Sequence, residues 1–286
     1  DHAVTSDGLD AERIEVLRGA AALAYGGNAV GGVVNVIDQS IPTRVREGVS
    51  FDGLAAYSTV DEGRQGAARV GFGVGDVAFT LNAAERETES YDTPIGAALN
   101  QWTDMRSYGG GASVVRDWGF AGVAIKRTED AYGLLPEDPS EPGGHIELEQ
   151  TRIESRGDFR INVGPFDRID YGLQHSDYTH TEFEGDGAAG TRFFSEGWEG
   201  RLEAHHGNDR HDGVIGVQLT DVDFSAEGDE AFITATTTRD AGIFAIERYD
   251  LGGWGVEGGL RYERRDIDNV TFGSREFDNV SASVGA

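Results

Sequence analysis

Strict alternation of apolar and polar side chains is the feature of this sequence that most limits how it can fold. The alternation starts near residue 48 and recurs along the chain, as in residues 77–84, 169–174 and 254–263. Side chains of a β-strand point alternately to opposite faces, so this period of two predicts strands with one apolar and one polar face. About 12 such segments are present, mostly of the roughly 9–15 residues expected of tilted membrane strands and their extensions.

The connections between these segments alternate between short turns and long loops. The short turns lie at residues 75–76, 117–119, 164–167, 207–212 and 250–253, and the long loops lie at 88–104, 129–145, 181–190 and 227–237. Short turns on one edge and long loops on the other are typical of a transmembrane antiparallel β-barrel. Aromatic residues near the short turns fit an interfacial girdle of such a barrel: Trp118, Phe120, Phe166, Tyr249 and Trp254. The predicted class is therefore all-β.

The charge and the cysteine content exclude several classes of function. The 286 residues include 24 Lys and Arg and 51 Asp and Glu, which gives a net charge of −27. A basic face is needed to bind phosphates, so nucleic acid is not an expected partner. Cysteine is absent, which excludes disulfides, thiolate zinc sites and cysteine nucleophiles. The motifs His-Glu-x-x-His and Gly-x-Ser-x-Gly are also absent, and we expect neither catalytic residues nor enzymatic activity.

The first 42 residues differ from the rest and predict a separate small α/β unit. A short helix is expected over Ala11–Leu17, with Asp10 as its N-cap. A glycine-rich turn follows at residues 25–32, and a buried strand is expected at residues 33–37. The change of period after this unit marks the start of the all-β part.

Two motifs in this unit closely resemble the C-terminal part of the plug domain of TonB-dependent outer-membrane receptors. Residues 11–19 read AERIEVLRG and residues 31–37 read GGVVNVI, with YG between them at residues 25–26. Ala20 stands where the family usually has proline. The resemblance implies that residues 1–42 are the C-terminal part of the plug and that residues 43–286 are a partial β-barrel.

The resemblance also implies a location and a set of partners. Receptors of this family lie in the outer membrane of Gram-negative bacteria, in contact with lipid and lipopolysaccharide. They take up scarce nutrients with energy delivered by the TonB–ExbB–ExbD complex. Complete barrels of this type have about 22 strands, so we expect this sequence to be a piece that holds about half of them.

Two alternatives come from other classes of protein. A passive porin-like or structural outer-membrane barrel has a similar sheet but lacks the plug motif. A secreted all-β binding domain predicts that the apolar side chains pack inside. Within the receptor family, siderophore, haem and cobalamin are the alternatives to a free metal ion.

Further segments resemble the subgroup of these receptors that takes up zinc. They are residues 1–4 (DHAV), 41–43 (IPT), 148–152 (LEQTR) and 228–232 (GDEAF). The resemblance implies that Asp1 and His2 bind zinc, which is then the transported ligand rather than a cofactor. The loop at residues 137–145 carries one histidine, where the subgroup often has several.

Two residues of the barrel are further candidate metal ligands, because imidazole nitrogen and carboxylate oxygen suit zinc. Glu230 lies in a long loop, and His180 has the parity of the polar face of its strand. Three other histidines flank a short turn, and we interpret them as exposed turn residues: His205, His206 and His211.

The alternation predicts the direction of individual side chains, which a structure tests directly. Apolar positions should point out of the barrel, namely Phe79, Leu81, Leu173, Val256 and Leu260. Polar positions should point into the lumen, namely Asn82, Gln174, Glu257 and Arg261. Packing of the apolar set against a second, inner sheet would contradict the barrel.

Overall fold

One large antiparallel sheet and a smaller N-terminal hairpin make up the fold, in a computed structural model that describes residues 8–27, 29, 31–136, 138, 140–228 and 231–286. The large sheet is a meander of twelve strands, each paired with its neighbours along the chain. Such an order needs only local hairpin connections, in agreement with the short turns of the sequence.

The strands have the following bounds in chain order: β1 Ala11–Leu17, β2 Val33–Asp38, β3 Val49–Tyr57, β4 Arg64–Val74, β5 Val77–Thr88, β6 Tyr91–Thr93, β7 Gly96–Ala98, β8 Thr103–Arg116, β9 Gly119–Gly133, β10 His145–Val163, β11 Phe166–Phe183, β12 Ala189–Asn208, β13 His211–Gly228, β14 Thr236–Asp250, β15 Gly255–Asn269 and β16 Gly273–Gly285. A 3-10 helix spans Gly19–Tyr25. The pairs β1–β2 and β6–β7 form two small sheets, and the other twelve strands form the large one. Within the described part of the chain, no helix is long and apolar enough to cross a membrane.

Side chains of the large sheet alternate between an outer and an inner face, as predicted. Leu81 and Leu260 are 59% and 56% exposed, whereas the residues that follow them, Asn82 and Arg261, are 8% and 2% exposed. Leu173 is also exposed. The other predicted positions have matching strand parity, with Phe79 and Val256 outside and Gln174 and Glu257 inside. No second sheet covers the outer face among the described residues, so the outward apolar face is confirmed.

Tight turns lie at one edge of the large sheet and the long connections lie at the other. We call the first the short-turn edge; it joins β4 to β5, β8 to β9, β10 to β11, β12 to β13 and β14 to β15. Gly75 and Gly164 begin two of its turns with φ of +59° and +60°, a conformation that glycine adopts without strain. The opposite edge carries the connections from β5 to β8, β9 to β10, β11 to β12 and β13 to β14, together with those from β3 to β4 and from β15 to β16. The predicted long loops therefore all lie at one edge and the predicted short turns at the other, although the β15–β16 connection at residues 270–272 is also short.

The predicted helix over Ala11–Leu17 is wrong, because this segment is strand β1 and pairs antiparallel with β2. Ile14 and Leu17 satisfy a helical spacing, but Ile14 and Val16 equally satisfy a strand spacing. The segment forms a strand because β2 provides hydrogen-bond partners for its backbone N–H and C=O groups. The local sequence pattern does not reveal this pairing. The strand expected at residues 33–37 is confirmed and extends to Asp38, but it is not buried as predicted, since Val34 is 65% exposed.

Asp10 is not a helix N-cap either. Its carboxylate accepts hydrogen bonds from Asn82 on β5 and from Lys126 on β9. Asp10 therefore attaches the N-terminal hairpin to the inner face of the large sheet.

The absence of cysteine allows the orientation of the two edges to be measured by labelling of single cysteines. Ile95→Cys lies in the connection from β5 to β8, at the edge opposite the short-turn edge, and Ile95 is 99% exposed. Asp117→Cys lies in a tight turn of the short-turn edge. On intact cells, a membrane-impermeant maleimide should label Ile95→Cys and leave Asp117→Cys unlabelled, because the long loops of such barrels face outward. Permeabilised cells, in which both variants react, provide the control. Labelling of Asp117→Cys alone on intact cells would reverse the orientation.

Candidate functional site: the inner face of the large sheet

The segment that follows β2 is seated against glycines of the inner face. An added Cβ at Gly111 would lie 2.2 Å from the Ser40 carbonyl oxygen, and one at Gly122 would lie 2.5 Å from the Ile41 side chain. Ile41 is fully buried. The hydroxyl of Ser113 donates to the Pro42 carbonyl oxygen at 2.5 Å. Glycine at these two positions therefore leaves β8 and β9 without side chains where the segment after β2 crosses them.

A cluster of opposite charges holds the hairpin next to this point. The Lys126 ammonium lies 2.5 Å from Asp10 and 3.7 Å from Asp38, and Arg152 lies 3.1 Å from Asp38. Lys126, Asp10 and Asp38 are almost fully buried. Buried ion pairs contribute little net stability because the charges must be desolvated, yet removal of one partner is costly. The cluster therefore fixes the position of the hairpin more than it adds to stability.

Asp38 is held in its ionised form by these neighbours. Burial opposes ionisation of Asp38, but the backbone N–H of Ser40, 2.9 Å from its carboxylate, and the cations Arg152 and Lys126 outweigh burial and lower the pKa of this carboxyl. Arg156 donates to the main-chain oxygens of Ile41 and Asp38 at 3.1 Å and 3.5 Å. The contacts thus combine ion pairs with hydrogen bonds to the backbone.

The 3-10 helix Gly19–Tyr25 is held at its C-terminal end by two arginines of the inner face. Arg201 on β12 donates to the Ala24 carbonyl at 2.7 Å and lies 4.6 Å from the centre of the Tyr25 ring. Arg261 on β15 donates to the Leu23 carbonyl at 3.5 Å. Carbonyl oxygens at a helix C-terminus lack partners within the helix, and cations interact favourably with them. These two arginines supply those partners.

Acidic side chains orient these two arginines. Glu203 accepts from Arg201, and Glu263 accepts from Arg261 and from the backbone N–H of Gly27. Each guanidinium is thereby presented to the helix in a fixed plane.

The N-terminal hairpin and the residues beside its strands therefore touch β8–β10, and the 3-10 helix between its two strands touches β14–β16, so the large sheet curves around this part of the chain. Most of the contacts named above are hydrogen bonds and ion pairs, and no disulfide exists because the chain has no cysteine. Contacts of this kind are directional, and water can replace them when the surfaces separate. The geometry suits a unit that is positioned accurately and can be displaced.

Only one of the four predicted metal ligands, His180, lies in the described part of the chain. Asp1, His2 and Glu230 lie outside the described residues. His180 lies on the inner face of β11, as its parity predicted, and is buried with its ring stacked on Phe193 at 4.4 Å. Its Nε2 atom lies 3.8 Å from Glu182. The metal-binding role of His180 stays a prediction.

The interpretation of His205, His206 and His211 as exposed turn residues is wrong, because all three are only partly exposed. Each is paired with a carboxylate. His205 lies 3.0 Å from Asp170 and 3.5 Å from Glu203 on the inner face, and His206 and His211 both contact Glu247 on the outer face. Glu247 was not recognisable from the sequence as a partner of these histidines, because only the pairing of β13 with β14 brings it near them.

Comparison with known proteins identifies the fold. No family model matches the chain. A probable TonB-dependent siderophore receptor, PirA of Acinetobacter baumannii, is 29% identical over 142 residues, which cover 47% of this chain and 18% of that receptor. The copper transporter OprC superposes with a TM-score of 0.84 at 12% identity, covering 98% of this chain and 48% of that chain. The FrpB iron transporter of Neisseria meningitidis superposes with a TM-score of 0.72 at 14% identity, covering 98% and 51%.

The chain thus spans about half the length of these solved structures and less than a fifth of the curated receptor. The large sheet is a partial barrel with the fold of these transporters, which confirms the predicted fold class. The comparisons support the resemblance to TonB-dependent receptors, and the proteins found are transporters and receptors rather than enzymes. This agrees with the expectation that the chain is not an enzyme.

Replacement of Lys126 tests how strongly the charge cluster holds the hairpin. Lys126→Ala leaves Asp10 and Asp38 buried with one cation fewer, so local opening of β1 and β2 should become easier by about 3–5 kcal/mol. Hydrogen exchange of the β1 and β2 amides should accelerate accordingly, while β12 and β13 remain protected. Arg106→Ala is the matched control, because its pairs with Glu85 and Asp104 are exposed and cost at most about 1 kcal/mol to remove. Equal effects of the two substitutions would contradict this role for Lys126.

The lowered pKa of Asp38 gives the docking of the hairpin a defined pH dependence. A carboxyl with a depressed pKa stabilises the folded state above its unfolded pKa of about 3.9, and this contribution is lost as the pH falls from there through the folded pKa. Exchange of the β2 amides, corrected for the intrinsic rate, should be constant from pH 7 to about 4 and faster below it. Asp38→Asn should reduce this acid sensitivity, and an unchanged acid profile would exclude Asp38 as its source.

Proposed function

We propose that this chain is the C-terminal part of the plug and the first half of the barrel of a TonB-dependent outer-membrane receptor. In this proposal residues 1–42 belong to the plug and residues 43–286 to the barrel. The receptor takes up a scarce nutrient, a metal ion or a metal chelate, with zinc as the first candidate. Uptake is driven by the TonB–ExbB–ExbD complex.

The observation that carries the proposal is the polar docking of the N-terminal hairpin on the inner face. Lys126, Arg152, Arg201 and Arg261 reach the hairpin and the 3-10 helix from four strands. A passive pore needs water along that face, whereas a gated pore needs a unit that fills it and can leave. The docked hairpin therefore supports a plugged transporter over a porin-like barrel.

The outer face supports a membrane location over a secreted binding domain. Large apolar side chains are exposed there on many consecutive strands, among them Leu81, Val123, Ile153, Leu173, Leu202, Leu219, Ile243 and Leu260. A contiguous apolar surface of this extent is unfavourable in water and marks a surface that contacts a membrane or a partner. A secreted all-β domain buries such residues inside.

Zinc is the first candidate because of the chemistry of the residues that resemble the zinc-uptake subgroup. His2 offers an imidazole and Asp1 a carboxylate, and this pair suits zinc better than calcium, which prefers oxygen ligands alone. A net charge of −27 concentrates cations near the protein. The copper, iron and siderophore substrates in the names of the compared proteins support a metal or a metal chelate as the class. A ferric siderophore is the second candidate, favoured by the similarity to PirA.

Calorimetric titration of the full-length receptor with Zn²⁺ tests the substrate. Wild-type protein should bind more tightly than His2→Ala and Glu230→Ala, because each substitution removes one proposed ligand. Binding at His2 should weaken as the pH falls through about 6.5, since a ligand imidazole must be neutral.

His180→Ala is included as a third variant, because His180 is buried on the inner face below the long loops.

Uptake of radioactive zinc by cells with and without TonB measures the energy requirement. If wild-type protein and His2→Ala bind zinc with equal affinity at pH 7.5, an organic metal chelate becomes the first candidate substrate instead of zinc. Zinc uptake that persists without TonB would instead favour the passive barrel.

A further inference from the structure

We propose that His206, His211 and Glu247 form a second metal site, on the outer face at the short-turn edge, which binds a divalent transition metal such as zinc. Nε2 of His211 lies 2.6 Å from Oε2 of Glu247, and Nε2 of His206 lies 3.3 Å from the same oxygen. One ligand atom from each residue lies within 4.8 Å of the other two. Two imidazoles and one carboxylate are a donor set that favours zinc over magnesium or calcium.

The strand register assembles these three side chains. His206 on β12 pairs with Gly213 on β13, and Gly213 pairs with Glu247 on β14, so the three positions form one row across the sheet. His211 lies two residues before Gly213 and shares its face, since strand side chains alternate. The site therefore spans three adjacent strands, close to the ends of all three.

Gly213 provides the space in which the ligands meet. A Cβ at this position would lie 2.3 Å from Oε2 of Glu247 and 2.5 Å from Nε2 of His206. Any side chain there would push the two ligands apart. The absence of a side chain at the centre of the row is what allows His206 and Glu247 to approach across an intervening strand.

Aromatic neighbours hold the two imidazole rings in place. His211 stacks on Tyr249 with ring centres 4.2 Å apart and planes 10° from parallel. His206 meets the Phe166 ring edge-on at 5.7 Å. Ligands whose rotamers are fixed by packing lose little entropy when they bind an ion.

The observed spacing is close to that of a tetrahedral zinc site. Zinc–nitrogen and zinc–oxygen bonds of about 2.0–2.2 Å place tetrahedral ligands roughly 3.3 Å apart. The distance from His206 to Glu247 already has this value, and the hydrogen bond from His211 to Glu247 needs to open by less than about 1 Å. Three protein ligands leave one position for water, and the partly exposed Glu247 gives the ion a route from solvent.

The other cluster of histidine and carboxylates, Asp170, Glu203 and His205 on the inner face, is a poorer site. Arg168 lies 3.4 Å from Asp170, and Arg201 lies 2.5 Å from Glu203. Both carboxylates are thus already neutralised, and a cation entering the cluster would be repelled by the two guanidinium groups. No arginine or lysine pairs with Glu247 among the described ion pairs.

A metal at the outer site would join β12, β13 and β14 at the short-turn edge. It would stabilise the folded protein because an ion that binds only the folded state shifts the unfolding equilibrium. The site lies on the opposite face from the docked hairpin, so it does not depend on the proposed transport function.

Zinc titration of the full-length protein by calorimetry, with thermal unfolding measured in parallel, tests the site. The double variant His206→Ala/His211→Ala should bind one zinc ion fewer than wild type, and its zinc-induced rise in Tm should be smaller than that of wild type by the contribution of this site. Gly213→Ala keeps all three ligands but separates them, and it should weaken this site by roughly 10–100-fold, as the loss of a supporting group does. Glu247→Gln should weaken it at least as much.

His175→Ala is the matched control, because His175 also contacts a single carboxylate, Glu196, at 3.2 Å but has no second histidine. It should bind zinc as wild type does. His2→Ala separates the two proposals, since it affects only the site proposed for transport. The inference is overturned if wild-type protein binds no zinc, if the double variant retains its full zinc stoichiometry and affinity, or if His175→Ala loses as much binding as the double variant.

Discussion

The two-faced character of the large sheet is the constraint on which the rest of the structure depends. Each strand of the large sheet except the edge strands β3 and β16 pairs on both sides, so its backbone hydrogen bonds are satisfied within the sheet and either face is free to be apolar. Most large apolar side chains are turned outward, and the inner face carries many polar groups and glycines beside a few buried apolar residues such as Phe244, Ile146 and Leu148. Whatever fills the inside must therefore offer charges, hydrogen-bonding groups and main-chain oxygens as well as small apolar side chains.

The N-terminal hairpin meets this requirement in two different ways. At Asp10 and Asp38 it presents carboxylates to Lys126 and Arg152, and at the end of the 3-10 helix it presents bare carbonyl oxygens to Arg201. Both kinds of contact fix orientation well, and neither makes the interface as resistant to separation as a hydrophobic core would. Such contacts suit the proposed function, in which this unit must be positioned accurately and must also be able to leave the inner face.

The two histidine clusters illustrate how strand geometry separates neighbours in sequence. His205 and His206 are adjacent, yet they point to opposite faces and join different groups of carboxylates. The inner cluster is neutralised by arginines, whereas the outer cluster brings two imidazoles to one carboxylate without such cations. Identical residue types thus acquire different metal-binding potential from the charges on the face that they share.

The sequence by itself determined the all-β class, the number of strands, the alternation of faces and the segregation of loops, because these follow from a local period of two and from turn residues. The sequence pattern predicted a helix at Ala11–Leu17, which is wrong. Helical and strand spacings coincide there, and pairing with β2 makes the segment a strand. The sequence could not reveal the contact between Asp10 and Lys126, 116 residues apart, or the row of His206, Gly213 and Glu247. Such contacts depend on strand register and on curvature of the sheet, which are properties of the assembled structure rather than of any local segment.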